Sequence, residues 1–477
     1  MQHSLYRYYG CLLLCLLCFL SAGKNAAAVD FLPPEIEKFI KINKVNKKNI
    51  GLLLQREDGT IVASHQAERK FNPASVAKII TTLAALDILG TKFTWQTKIA
   101  TNGRVKKGVV EGDLYLIGGG DPYLTVDNFL YLLNSLRSQG IHEIRGDIII
   151  DDSIFMLPPH NPAKFDGAST KPYNVGAGGL IVNFKTQQIV FAPRDNKVHV
   201  YSDPPNAYFT IDNRVKLSKR GCRNWRGKIR EQLFGDAKRI TLRLSGAYAA
   251  RCKTQSFYLS VLDHPAYVAG VFGALWERLG GTWSGNWKQG SAPKKATVLL
   301  KHDSQSLPLV LAAMNKFSNN VIARNLFISL AAGDKAPPPY TPQAAQQRLQ
   351  RWLNEKGVPD IKIENGSGLS RIARISPAQM THLLTTIWRH SYRPEILASL
   401  PILGKDGTLR KRLKNKKAAG SGHLKTGSLD GVSAISGFIR DNEGRYLFMT
   451  LFSEKQYGGR VRRLQDNIID WVRQSKK

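Results

Sequence analysis

Ser75-Val76-Ala77-Lys78-Ile79-Ile80-Thr81-Thr82-Leu83-Ala84-Ala85-Leu86 is the stretch on which the reading of this chain turns. It follows the turn-like Asn72-Pro73-Ala74. Val76, Ile79, Ile80, Leu83 and Leu86 recur at helical spacing, which predicts a helix that opens at Ser75. That helix is apolar nearly all round, so it belongs at the centre of the fold rather than on a surface. Lys78 lies one turn after Ser75 and so shares its face. A serine hydroxyl is a poor nucleophile until a base takes its proton. Lys78 can be that base only when neutral. This asks its pKa to fall by about three units from ~10.4, roughly 4 kcal/mol of differential stabilisation. Burial and a second nearby cation are the means, and the helix N-terminus favours the alkoxide.

Two further stretches supply the remaining chemistry. Ser318-Asn319-Asn320 sits between the helical patterns Leu307 to Lys316 and Val321 to Leu330, which places it on an inter-helix turn. The Ser318 hydroxyl can relay a proton from the lysine to a leaving amine. The Asn320 amide can hold a peptide carbonyl. Lys425-Thr426-Gly427-Ser428 precedes the strand-like run Val432 to Ile439. Lys425 and the hydroxyls of Thr426 and Ser428 suit a substrate carboxylate, and Gly427 lets a ligand approach the backbone. The backbone N–H groups of Ser75 and Ser428 are expected to form an oxyanion hole. Each motif alone is weak. All three together, in this order and in these contexts, are specific.

The rest of the chain arranges itself around them. Ile50 to Gln55 and Thr60 to Ser64 read as a hairpin across Glu57-Asp58-Gly59. From about Phe93 to Leu262 the pattern is of short strands with glycine turns, followed by a helix over Pro265 to Leu279. Ser376-Pro377 starts another helix, with serine as cap and proline in the first turn. The chain ends strand, turn, strand, helix, and Val461, Leu464, Ile468, Trp471 and Val472 form one face of that helix. Docking of this face onto the final sheet is expected in preference to a place on a membrane surface.

With 477 residues, 43% of them hydrophobic, the chain is long enough for two to four domains. Residues 1–28 read as a signal peptide, with Arg7 in the n-region, an apolar run from Cys11 to Leu20 and a small-residue site at Ala26-Ala27-Ala28. Export implies an oxidising compartment. Cys11, Cys15 and Cys18 leave with the leader, so Cys222 and Cys252 remain as a candidate disulfide closing a loop of about 30 residues. No His or Cys cluster has metal-ligand spacing, and no cofactor is implied. The net charge of +33 suits polyanions, with Lys411-Arg412-Leu413-Lys414-Asn415-Lys416-Lys417 as its densest patch. It is compatible with peripheral contact with anionic membrane or cell wall. No nucleic-acid-binding signature accompanies it, so no nucleic acid partner is expected. The sequence carries no mark of oligomeric state.

The chain resembles the class C low-molecular-mass penicillin-binding proteins, the D-alanyl-D-alanine carboxypeptidase/endopeptidase family. Beyond the three motifs, the resemblance rests on Gly119-Gly120-Asp121-Pro122, Ile150-Asp151-Asp152-Ser153-Ile154-Phe155, His302 with Ser304, Met314-Asn315, Gly366-Ser367-Gly368-Leu369-Ser370-Arg371 and Asp406-Gly407-Thr408-Leu409. It implies an α+β fold: a transpeptidase-like core, a five-stranded antiparallel sheet with helices on both faces, carrying two inserted β-rich domains. The roughly 240 residues between Lys78 and Ser318 match those inserts. The expected division is 29–94 with 301–477 for the catalytic domain, 95–120 with 257–300 for domain II and 121–256 for domain III.

The resemblance further implies a periplasmic serine hydrolase of peptidoglycan stem peptides, inhibited by β-lactam antibiotics. Its targets would be D-Ala-D-Ala ends, D-Ala-meso-diaminopimelate cross-links, or both. Ser75, Lys78, Ser318, Asn320 and Lys425 would be catalytic, and Thr426, Gly427 and Ser428 would bind substrate. Asp151, Phe155 and Arg371 would meet the side-chain end of the stem peptide. Arg324 stands where the family usually has an acid, and Asp430 where glutamine is common. Two other readings share the features: a β-lactamase or esterase on the same core, and a non-catalytic wall-binding protein. The first lacks a candidate for the extra deacylating glutamate. A Ser-His-Asp hydrolase is disfavoured because no G-x-S-x-G elbow occurs.

Overall fold

The structure is a computed structural model describing residues 30–219, 221–334 and 337–474. The expected signal peptide, 1–28, lies outside the described residues. Among them no helix is long and apolar enough to cross a membrane.

The two ends of the described chain meet in one sheet. Strands β1 (Ile50–Arg56) and β2 (Ile61–His65) form the first hairpin. Strands β3 (Gly422–Leu429), β4 (Val432–Arg440) and β5 (Tyr446–Ser453) come from the far end of the sequence. The order is β3-β4-β5-β1-β2, with every neighbour antiparallel. The period-two alternation of side chains serves two cores. Leu52, Leu54, Ile435, Ile439, Met449 and Leu451 face one side, where they meet Ile36 and Ile40 of the helix Pro34–Ile42. Val461, Leu464, Ile468 and Val472 of the terminal helix Gly458–Gln474 close that side. Ala434, Phe438, Phe448 and Phe452 face the other side.

That second core contains helix α1 (Lys78–Leu89), α2 (Leu307–Phe317), α3 (Asn320–Ser329) and α4 (Pro377–Arg389). Helix α1 has all its residues from Lys78 to Leu86 buried, as its unbroken apolar character requires. Helix α4 starts on a capping box, Ser376 with Gln379.

The long insertion between α1 and α2 carries four sheets. Its five-stranded sheet runs Trp287–Gln289, Ile148–Asp151, Leu114–Ile117, Gln96–Thr101, Thr297–Asp303. Ile148–Asp151 pairs with Leu114–Ile117, so residues on both sides of position 120 share this sheet. The outer part holds two three-stranded sheets, and a Cys222–Cys252 disulfide lies at its edge. One helix was not foreseen in this strand-rich stretch. Val126–Ser138 buries Phe129, Leu132, Leu133 and Leu136, a 3.6-residue stripe, behind an N-cap at Thr125.

Candidate active site

Ser75 is set by a strained turn, not by regular helix. Ala74–Ala77 is a 3-10 turn that leads directly into α1. Ala74 has φ 45°, the left-handed region that alanine avoids. It is held there from two directions. Asn72 Oδ1 accepts the Ala74 N–H at 2.9 Å, while Asn72 Nδ2 donates to Ser370 O at 2.7 Å. On the other flank a Cβ added to Gly368 would stand 1.9 Å from Ala74 O, so only glycine fits. Strain of this kind costs about 1–3 kcal/mol and persists where the surroundings over-determine it.

Lys78 is fully buried. Its Nζ lies 2.7 Å from Asn320 Oδ1, 2.5 Å from Ser367 O and 3.2 Å from Ser75 Oγ. The first two partners can only accept. A neutral amine has two N–H donors and one lone pair. In that form the two N–H groups would go to Asn320 and Ser367 and the lone pair would face the Ser75 hydroxyl, the arrangement a general base needs. Burial pushes the Lys78 ammonium well below the usual lysine range, and the charges of Lys425 and Arg324 push it further.

Ser318 caps α2 in the left-handed conformation, φ 55°, and Asn319 caps α3 through its side chain. The turn thereby aims Ser318 and Asn320 at the same place. Lys425, also fully buried, donates from Nζ to Ser318 Oγ and to Thr426 O, both at 2.9 Å. Burial lowers its pKa to about 7. Strand β3 lies tightly against the nucleophile's turn: a Cβ on Gly427 would meet Pro73 O at 2.7 Å and Ser75 N at 2.9 Å. The three motifs therefore converge on one point from α1, the α2–α3 turn and β3.

Two cavities flank this point. One of about 630 Å³ is bordered by Thr426, Gly427 and Ser428 and by the cations Lys316, Arg410 and Lys411, a setting for an anionic group. The other, about 600 Å³, is bordered by Arg371, Arg324, Lys164, His160 and Phe165. The exposed Arg371 guanidinium stacks 4.4 Å over the Phe165 ring.

Two of the expected residues lie away from these cavities. Asp151 borders neither cavity; it is buried and its carboxylate accepts the N–H groups of Ser153 (3.0 Å) and Ala292 (2.7 Å). Phe155 is a core aromatic, 6% exposed, packed where a Cβ on Gly120 would stand. Two neighbours of the site escaped sequence reading. Tyr173 and Ser367 take part through backbone carbonyls, which leave no mark on residue type. Tyr173 O accepts from Asn320 Nδ2 at 3.1 Å.

A family model described as the D-Ala-D-Ala carboxypeptidase 3 (S13) family matches residues 32–475. A D-alanyl-D-alanine carboxypeptidase of Actinomadura sp. is 28% identical over 411 residues, covering 82% of this chain and 74% of that protein. Another, of Haemophilus influenzae, is 25% identical over 410 residues, or 85% of each chain. In fold the chain is similar to the crystal structure of penicillin binding protein 4 from Haemophilus influenzae. That match has a TM-score of 0.75 at 23% identity and covers 92% of this chain and 99% of the other.

Proposed function

The chain belongs to the D-Ala-D-Ala carboxypeptidase 3 (S13) family and is a DD-peptidase, and from that premise we propose that it works through an acyl-enzyme on Ser75. The observation that carries this reading is the convergence of Ser75, Asn320 and Ser367 on the buried Lys78 Nζ. Two obligate acceptors take its N–H groups, and its remaining direction is toward Ser75 Oγ.

Lys78 takes the Ser75 proton as Oγ attacks the penultimate D-Ala carbonyl carbon. The oxyanion forms between the N–H groups of Ser75 and Ser428. The terminal carboxylate of the substrate lies against Lys425, Thr426 and Ser428. Lys425 orients Ser318, whose hydroxyl passes the proton from Lys78 to the departing amine. The C–N bond breaks and Ser75 keeps the acyl group as an ester. Water, activated by the same lysine, then hydrolyses the ester and restores Ser75. With a D-Ala-D-Ala end the leaving group is D-alanine. With a D-Ala-meso-diaminopimelate cross-link it is the neighbouring strand. A β-lactam enters the first step and stops there. We assign this chemistry to the periplasm, in line with the leader read in residues 1–28.

The test is release of D-alanine from a stem pentapeptide, and of monomers from cross-linked muropeptide dimers, followed by mass spectrometry. Turnover by the mature protein and its loss in Ser75→Ala are expected. Equal release by Ser75→Ala would refute the assignment.

A further inference from the structure

Residues 156–178 run across the site as a strap with little regular structure. The strap is tied to itself through Asp166, whose carboxylate accepts from Tyr173 OH at 2.8 Å, Asn174 Nδ2 at 2.8 Å and Ala168 N at 3.0 Å. His160 Nε2 donates to Asn174 O at 2.6 Å. Near the nucleophile it is gripped from α3. Asn320 and Arg324 stand one turn apart there, and both donate to Tyr173 O at 3.1 Å. Arg324 Nη1 also donates to Val175 O.

Resting on the acyl-enzyme reading, we propose that Arg324 is a positioning residue for acylation. The two N–H groups of its Nη1 fork onto the Tyr173 and Val175 carbonyls, fixing the Tyr173 carbonyl so that it holds the Asn320 amide in one orientation. An asparagine amide can flip, and nothing in its own geometry prefers either way round. Here Lys78 requires an oxygen at one end, and Tyr173 O requires an N–H at the other. The amide nitrogen has two N–H groups, so one remains for a substrate carbonyl. Without the fork, Tyr173 O is free to drift, the amide can turn its nitrogen toward Lys78, and the lysine loses an acceptor.

Arg324 also contributes charge. Among the groups facing Lys78, Lys425 on β3 and Arg324 on α3 are cations that disfavour its protonation. Glu364 faces Arg324 and favours its charged form, and His160 lies on the strap side of it. Removing the Arg324 charge lets Lys78 keep its proton to higher pH, so the acid limb of acylation moves up.

The experiment measures the second-order rate constant for acylation by a fluorescent penicillin between pH 5 and 9. It compares the mature wild type, Arg324→Lys and Arg324→Met. Arg324→Met is expected to slow acylation by roughly ten- to a hundredfold, as misplaced reacting groups do, with its acid limb at higher pH. Arg324→Lys keeps the charge but ends one bond short of the Nη1 position and loses both carbonyl contacts, so its acid limb should stay near wild type while the rate remains low. A purely structural role would slow the enzyme without moving the limb. An unmoved limb in Arg324→Met, or a wild-type rate in Arg324→Lys, would overturn the proposal. The second outcome decides even if Arg324→Met does not fold. Failure of the wild type itself to acylate would instead overturn the acyl-enzyme reading.

Discussion

Replacing Gly427 by alanine tests the site's tightest joint. The new Cβ would stand 2.7 Å from Pro73 O, 2.9 Å from Ala74 Cβ and 2.9 Å from Ser75 N. Carbon atoms in ordinary contact are about 3.5–4.0 Å apart. The interface between β3 and the Ser75 turn must therefore open by roughly 0.6–1 Å. None of the three obstructing atoms lies at the end of a flexible side chain. The turn cannot retreat, because Ala74 is braced by Asn72 and by the close approach of Gly368. The strand moves instead, taking the Ser428 N–H away from the oxyanion position and Lys425 away from Ser318. A misplacement of about 1 Å costs on the order of a hundredfold in rate, while overpacking costs about 1–3 kcal/mol of stability. The assay is the second-order rate of labelling by a fluorescent penicillin, with thermal melting as the control for folding. Gly221→Ala, where a Cβ meets nothing within 4 Å, is the matched silent variant. A folded Gly427→Ala that acylates within about threefold of wild type would refute the reasoning.

Other outcomes follow from the same geometry. Burial lowers the Lys425 pKa from 10.5 to about 7, so between those values the unfolded chain holds a proton that the folded one lacks. Wild-type stability relative to Lys425→Met should therefore rise from pH 7 to 10, by at most about 5 kcal/mol, in urea titrations. A difference that is flat with pH would contradict this. Phe155→Ala should lose about 3–5 kcal/mol and leave the preference among stem peptides unchanged in competition assays, because Phe155 is core. Reduction of Cys222–Cys252, a loop of 30 residues, should destabilise the outer insert by roughly 3–4 kcal/mol. Hydrogen exchange would localise that loss, and penicillin labelling should persist.

What the sequence disclosed, and what it hid, has a physical pattern. Helix α1, just after Ser75, was legible because a helix that is apolar nearly all round belongs in the core. The sheet was legible because its strands alternate between two cores, although joining β1 to β5 across some 390 residues came from resemblance. The helix Val126–Ser138 was missed among strands, even though Phe129, Leu132, Leu133 and Leu136 carry its period. Asp151 and Phe155 are ambiguous in sequence because a carboxylate beside an aromatic looks the same whether it binds a ligand or caps a loop. The parts played by the Tyr173 and Ser367 carbonyls were hidden, although Ser367 lies in a family motif, since a backbone carbonyl is common to every residue. Arg324 stood out only as a departure from the family pattern, and its partners are again carbonyls.

The proposed mechanism stands or falls on acylation at Ser75 Oγ. Incubation of the mature protein with benzylpenicillin, followed by digestion and peptide mass mapping, tests it most directly. A single penicilloyl adduct is expected on the peptide containing Ser75, absent from Ser75→Ala. An adduct on another residue, or one that survives in Ser75→Ala, would contradict it.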